Sequence, residues 1–165
     1  MIHRMMSSPT AGVLPKLRID LKTAMQNKDK TRLLVLRTLL ADITNASKTA
    51  KPVSSDRELY ILLKKKIASA SDAVEGFKKA NRDDLVQKEE EQLAILKGYI
   101  GGIDVVSEEE MRAAVEKTIE EMGPDTKVQP GQIIGKVTQS LQGKVVDNKK
   151  LSDVIAEVIK SKKSA

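Results

Sequence analysis

Apolar side chains recur at intervals of three and four along nearly the whole chain, the spacing that puts them on one face of an α-helix. Leu14, Leu17, Leu21 and Met25 draw the first stripe, and Pro15 suits its first turn. Asn27 to Lys30 reads as a break, with Asp29 placed to cap the next helix. Leu33, Leu36, Leu40 and Ile43 form a second stripe, which Leu34 and Leu39 widen toward a well-buried helix. Pro52 disfavours helix before it, and Ser55 with Glu58 three positions on is a capping-box pattern. The third helix runs toward Lys79 on Leu59, Leu62, Leu63, Ile67, Ala70, Val74 and Phe77. Asn81 is placed to cap a fourth, carrying Leu85, Leu93, Leu96 and Ile100 and ended by Gly101 and Gly102. Two long helices joined by a tight link near Asn81 predict an antiparallel hairpin.

A second module is expected after Gly102. Ser107 and Glu110 repeat the capping-box pattern, and Met111, Val115, Ile119 and Met122 make a short stripe stopped by Gly123 and Pro124. Pro130 stands at a first helical position, followed by Ile133, Ile134, Val137 and Leu141, with Gly143 closing the helix. Asp147 or Asn148 can cap a last helix bearing Leu151, Val154, Ile155, Val158 and Ile159. Its lysine-rich end complements the negative end of a helix dipole. No strand alternation and no internal repeat is evident. The predicted fold is all-α: a segment 1–13 that is disordered or a targeting signal, an N-terminal helical domain 14–102 built on the long hairpin, and a C-terminal three-helix domain 103–165.

Composition narrows the chemistry. The 165 residues include no cysteine, one histidine (His3), two tyrosines and one phenylalanine. Thiolate nucleophiles, cysteine metal sites and disulfides are excluded. His3 lies in the leader-like start, which leaves serine and cysteine mechanisms without a base. With so few aromatics, base stacking is not the route to a nucleic acid. No apolar run approaches the ~18–20 residues that span a bilayer, so no membrane insertion is expected.

Charge is unevenly placed. The formal net charge is +6. The basic excess lies toward the two ends, and the middle of the chain is acidic. Such asymmetry suits a polyanionic partner. Residues 1–19 hold no acid and carry His3, Arg4, Lys16 and Arg18 among hydroxyl residues, a composition that suits a mitochondrial transit segment.

The acids of "NRDDLVQKEEEQLAILKGYIGG", Asn81 to Gly102, are the first candidates for catalysis or metal binding. Helix geometry scatters them: at ~100° per residue, Glu89, Glu90 and Glu91 fan over about 200°. Asp84 and Lys88 form an i, i+4 pair, and Asp83 and Asp84 favour the positive helix start. A solvated face is expected, with no catalytic residue, no metal and no cofactor. "PGQIIGKV", Pro130 to Val137, lacks the first glycine and the hydroxyl of a phosphate-binding loop. Lys136, Lys144, Lys149 and Lys150 cluster around two helix junctions and are the candidate nucleic-acid contacts, gripping a backbone by charge. The Lys64–Lys66 run fans around its helix in the same way as the glutamates.

"RDDLVQKEEEQLAILKGYI", Arg82 to Ile100, resembles the signature of the YqeY family. "LKTAMQNKDKTRLLVLRTLLADI" resembles that family's N-terminal part, and "SEEEMRAAVEKTIEEMG" with "IIGKVTQSLQGKV" its C-terminal part, over about residues 14–162. The acid-free start is similar to the mitochondrial branch, the fungal altered-inheritance-of-mitochondria proteins. The resemblance implies a C-terminal module similar to the tail domain of GatB, the transamidase subunit that amidates misacylated tRNA, and with it a family label of carbon–nitrogen ligase activity with glutamine as amido-N-donor. The catalytic domains of that subunit have no counterpart here. Two positions depart from the family: Tyr99-Ile100-Gly101 stands where Tyr-Leu-Pro is frequent, and "GKVVDNKK" stands where a Gly-Arg-Ala-Asp-Gly turn is frequent. The first makes Gly101 and Gly102 a candidate hinge. The second leaves lysines in place of an arginine contact.

The chain is therefore expected to be a non-catalytic mitochondrial protein of the matrix, binding tRNA or a tRNA-bound complex, or associated with a tRNA amidotransferase. The alternative is a protein–protein adaptor working through the hairpin around Leu59–Ile100, and the alternative location is the cytoplasm.

Overall fold

The computed structural model describes residues 12–123, 127 and 129–163. These form seven α-helices: α1 (Val13–Gln26), α2 (Lys30–Ala46), α3 (Asp56–Lys79), α4 (Asp83–Gly101), α5 (Glu108–Met122), α6 (Pro130–Ser140) and α7 (Asn148–Lys163). The only extended pairing among the described residues is an isolated bridge between Val105 and Val145. The protein is all-α. Residues 1–11 of the expected leader, and Pro124, lie outside the described residues. The chain divides into two compact units, Met1–Ile103 and Asp104–Ala165.

In the N-terminal unit α3 and α4 pack along each other as the expected hairpin, and α2 packs on both α1 and α4. Leu17, Leu36, Leu39, Leu59 and Leu63 are fully buried at its centre. The first two stripes need correction. Met25 and Leu34 are exposed, while Ala24 and Val35 are buried. Helical rotation explains both: Ala24 returns within about 20° of Leu17, whereas Met25 lies about 80° away and Leu34 about 200° from Leu36.

The helix ends show which local signals hold. The carboxylate of Asp29 accepts from the Arg32 N–H at 3.0 Å, and the hydroxyl of Ser107 accepts from the Glu110 N–H at 3.2 Å. Ser55 behaves differently: its hydroxyl donates to the Glu58 carboxylate and makes no bond to the helix backbone. Asn81 is not an N-cap. It adopts φ 54° and closes the C-terminus of α3, with Asn81 N–H donating to Lys78 O and Arg82 N–H to Phe77 O, the paired bonds of a Schellman motif. Lys28, also at φ 54°, closes α1 in the same way, through Lys28 N–H to Met25 O and Asp29 N–H to Ala24 O.

A long-range cap starts α1. The Asp56 carboxylate accepts from the N–H groups of Val13 (3.0 Å) and Leu14 (2.9 Å), satisfying two donors that a helix start leaves orphaned. Gly12 makes the approach feasible, since a Cβ there would stand 2.9 Å from Asp56 Oδ2.

The C-terminal unit is a three-helix module around Met111, Val115, Ile133, Val137, Leu151 and Ile155, with Val106, Ile119, Leu141, Val154 and Val158 completing its core. Val106 N–H donates to Val145 O at 2.9 Å, pinning the segment before α5 to the one before α7. Arg112 joins α5 to α7 through Glu157 at 2.7 Å.

Candidate nucleic-acid interface

The four candidate lysines belong to three different settings. Lys136 is exposed on α6 and borders a groove between α5 and α6 of about 670 Å³, beside Lys117, Glu121 and Gln139. Lys144, in the segment after α6, donates to the Glu110 carboxylate at the rim of that groove. That contact and the nearby Asp104 hold its pKa above the ordinary lysine value, so it stays cationic but locally neutralised. Lys149 and Lys150 are exposed in the first turn of α7. Neither they nor Lys136 takes part in an ion pair among the described residues.

The start of α7 is shaped by Asp147, which is buried. Its Oδ1 accepts from the N–H groups of Lys149 (3.1 Å) and Lys150 (3.3 Å). Two of the backbone donors that often hold a phosphate at a helix start are therefore taken. The two side-chain ammoniums are left to meet an anion. On α7, Lys149 and Lys160 fall about 20° apart on the side away from the buried stripe, with Asp153 between them in sequence. Sequence spacing thus found three accessible cations, but it did not foresee that Glu110 engages the fourth.

Gly101 is the last residue of α4 and Gly102 its C-cap, at φ −79° and ψ −11°. A Cβ on Gly102 would meet Val13 Cγ2 and Tyr99 O at 3.4 Å, whereas one on Gly101 would meet nothing within 4 Å.

The acids of α4 diverge as helix geometry requires. Glu90 pairs with Lys78 at 3.3 Å, Glu91 accepts from Gln87 Nε2 at 3.4 Å, and Glu89 lines a cleft toward α2 and α3. Asp84 is held by Arg82 through two bonds of 3.1 Å, not by Lys88 as the spacing predicts. Arg82 precedes the helix, where its guanidinium reaches the carboxylate in a bidentate fork. The lysine run also separates: Lys64 lies 5.7 Å from the centroid of the Tyr60 ring, Lys65 lines the cleft, and Lys66 bonds Asp42 of α2. Among the described residues no group of three or more acids, histidines or cysteines is placed to hold a metal. No helix there is long and apolar enough to cross a membrane.

Residues that spacing could not find are those joined across helices. The hydroxyl of Tyr99 donates to Asp20 Oδ2 at 2.7 Å, 79 positions away in sequence. Burial first, then the Asp20 carboxylate, pushes the Tyr99 pKa up to about 12, against an opposing pull from Arg32.

The architecture defines an all-α protein of two helical units, the second a small module with accessible lysines. A family model described as Yqey-like protein matches residues 14–159, and the chain belongs to the YqeY family. It is 43% identical over 156 residues to the altered inheritance of mitochondria protein 41, mitochondrial, of Pyrenophora tritici-repentis, covering 94% of this chain and 86% of that one. It is 32% identical over 136 residues to the protein of that name in Saccharomyces cerevisiae strain YJM789, covering 79% and 74%. With the Eremothecium gossypii protein of the same name it shares 34% over 117 residues, 70% of this chain and 64% of that one. The chain is a mitochondrial protein of this family.

Proposed function

We propose that this protein acts in the mitochondrial matrix as a non-catalytic binder of tRNA or of a tRNA-bound complex, such as an amidotransferase assembly. The contact runs through the C-terminal unit, for which the family resemblance implies a module similar to the GatB tail, with Gly101 and Gly102 as the hinge ahead of it. The observation that carries this is the set of three exposed lysines without ion pairs, Lys136, Lys149 and Lys150. Ammoniums without a protein partner are free to replace the counterions of a phosphate backbone. Lys144 contributes only by leaving Glu110. Crosslinking in intact mitochondria, with both RNA and protein recovered, tests the proposal. RNA crosslinks on peptides from residues 129–163 are expected. RNA absent from those peptides, with protein crosslinks alone, overturns it.

That second outcome selects the adaptor function. It is favoured by large apolar side chains left in water on the N-terminal unit: Ile19 (65% exposed), Leu34 (54%) and, on the hairpin itself, Ile61 (53%). A partner that survives nuclease treatment and is lost with Ile61→Ser supports it.

A further inference from the structure

A second site with different chemistry lies in the N-terminal unit. Helices α2, α3 and α4 leave an open cleft of about 350 Å³, at the small end of the range for sites that hold a metabolite, roughly 300–1,000 Å³. Val35, Ala70 and Leu96 give it an apolar floor. Its polar lining includes Thr38 of α2, whose hydroxyl donates to Leu34 O, and a wall from α3 and α4 where Lys65, Ser69, Glu89 and Gln92 face the cleft.

The charges of that wall are incompletely matched. Lys66, also at the cleft, is bonded to Asp42. Lys65 and Glu89 have no such partner: among the described residues neither makes an ion pair, with each other or with anything else. Glu89 is half-buried, and a carboxylate partly withdrawn from water gains more from a cation than one in bulk solvent. The cleft therefore presents one uncommitted cation and one uncommitted anion above an apolar surface. A simple anion suits Lys65 but is repelled by Glu89. A metal ion finds no cluster of ligands there.

We propose that this cleft binds a small aliphatic amino acid as its zwitterion. The ligand carboxylate meets Lys65 and the Ser69 hydroxyl, its ammonium meets Glu89 and the Gln92 amide oxygen, and its hydrocarbon part covers Val35, Ala70 and Leu96. Neither the occupant nor the site depends on RNA binding by the C-terminal unit.

Amide chemical-shift titration of the full chain tests this, with L-leucine (charges adjacent) and 6-aminohexanoate (charges at opposite ends) as probes. At least one is expected to shift amides of residues 65–70 and 89–96 saturably. Its N-acetylated and methyl-esterified forms should each bind about tenfold more weakly, the loss of one charged contact. Glu89→Gln should remove the discrimination against the N-acetyl form, and Lys65→Met that against the ester. Both side chains lie at the cleft edge rather than in the core, so both variants should fold. Three results overturn the proposal: no saturable shift with either probe up to about 10 mM, a concentration corresponding to negligible affinity; blocked forms that bind as well as the parent; or inorganic phosphate producing the same shifts.

Discussion

Single side chains that reach across the N-terminal unit set much of its local order. Asp56 is the clearest, since one carboxylate holds the first two N–H groups of α1. Asp56→Ala should destabilise the protein by about 1–2 kcal/mol, as loss of a helix cap does, with Asp56→Asn retaining part of it. Urea unfolding measures the difference, and an unchanged midpoint contradicts the assignment. Tyr99 makes a pH-dependent prediction. Its phenol keeps its proton to about pH 12 when folded, while an unfolded tyrosine titrates near 10. The folded state thus binds the extra proton between those values, so the contribution is whole below about pH 10 and is lost as pH rises to about 12. Its ceiling is roughly 2–3 kcal/mol. Tyr99→Phe should flatten the decline in stability across that window, and an identical decline in both proteins would rule the coupling out. Neither contact was legible in the sequence, because a pairing 79 positions long leaves no mark in a periodic pattern.

At the scale of elements, helix existence was plain and helix faces were less so. The ends of α3 and α4 fall where the stripes and the Gly101–Gly102 pair place them. The faces of α1 and α2 differ from the stripes at Met25 and Leu34: steps of four carry a stripe gradually off the buried face in α1, and in α2 a run of leucines wider than one face does not show which of them turn outward. Asn81 has the composition of a start signal and serves as a stop, since asparagine suits both an N-cap and a left-handed closing position. Lys28 closes α1 in that same left-handed conformation without asparagine's tolerance for it. Lys28→Gly should therefore stabilise the protein by about 0.5–1 kcal/mol despite the entropy that glycine adds to the unfolded chain, readable as a higher thermal midpoint. In the C-terminal unit, Ile133 is fully buried, and Ile133→Ala should cost about 2–5 kcal/mol. A cost below about 1 kcal/mol would mean the core is less closely packed than the geometry indicates.

For the whole molecule, composition and family signature point in one direction. The chain carries no cysteine and a single histidine, and the acids of α4 diverge into separate contacts. The exposed lysines of the C-terminal unit leave a means of meeting a polyanion. Those lysines could be listed from the sequence. Which of them were free could not, because the Glu110 that occupies Lys144 sits 34 positions away on α5. Lys144→Ala should accordingly change RNA affinity little compared with loss of Lys149 and Lys150 together. The measurement that bears most directly on the account is tRNA affinity as a function of salt, in the full chain and in a Lys136→Ala/Lys149→Ala/Lys150→Ala variant. Each phosphate neutralised contributes about 0.7–0.9 to the slope of log affinity against log salt. The account predicts a steep slope in the parent that falls by about two to three in the variant. Binding with the same affinity and the same slope in both proteins would contradict it.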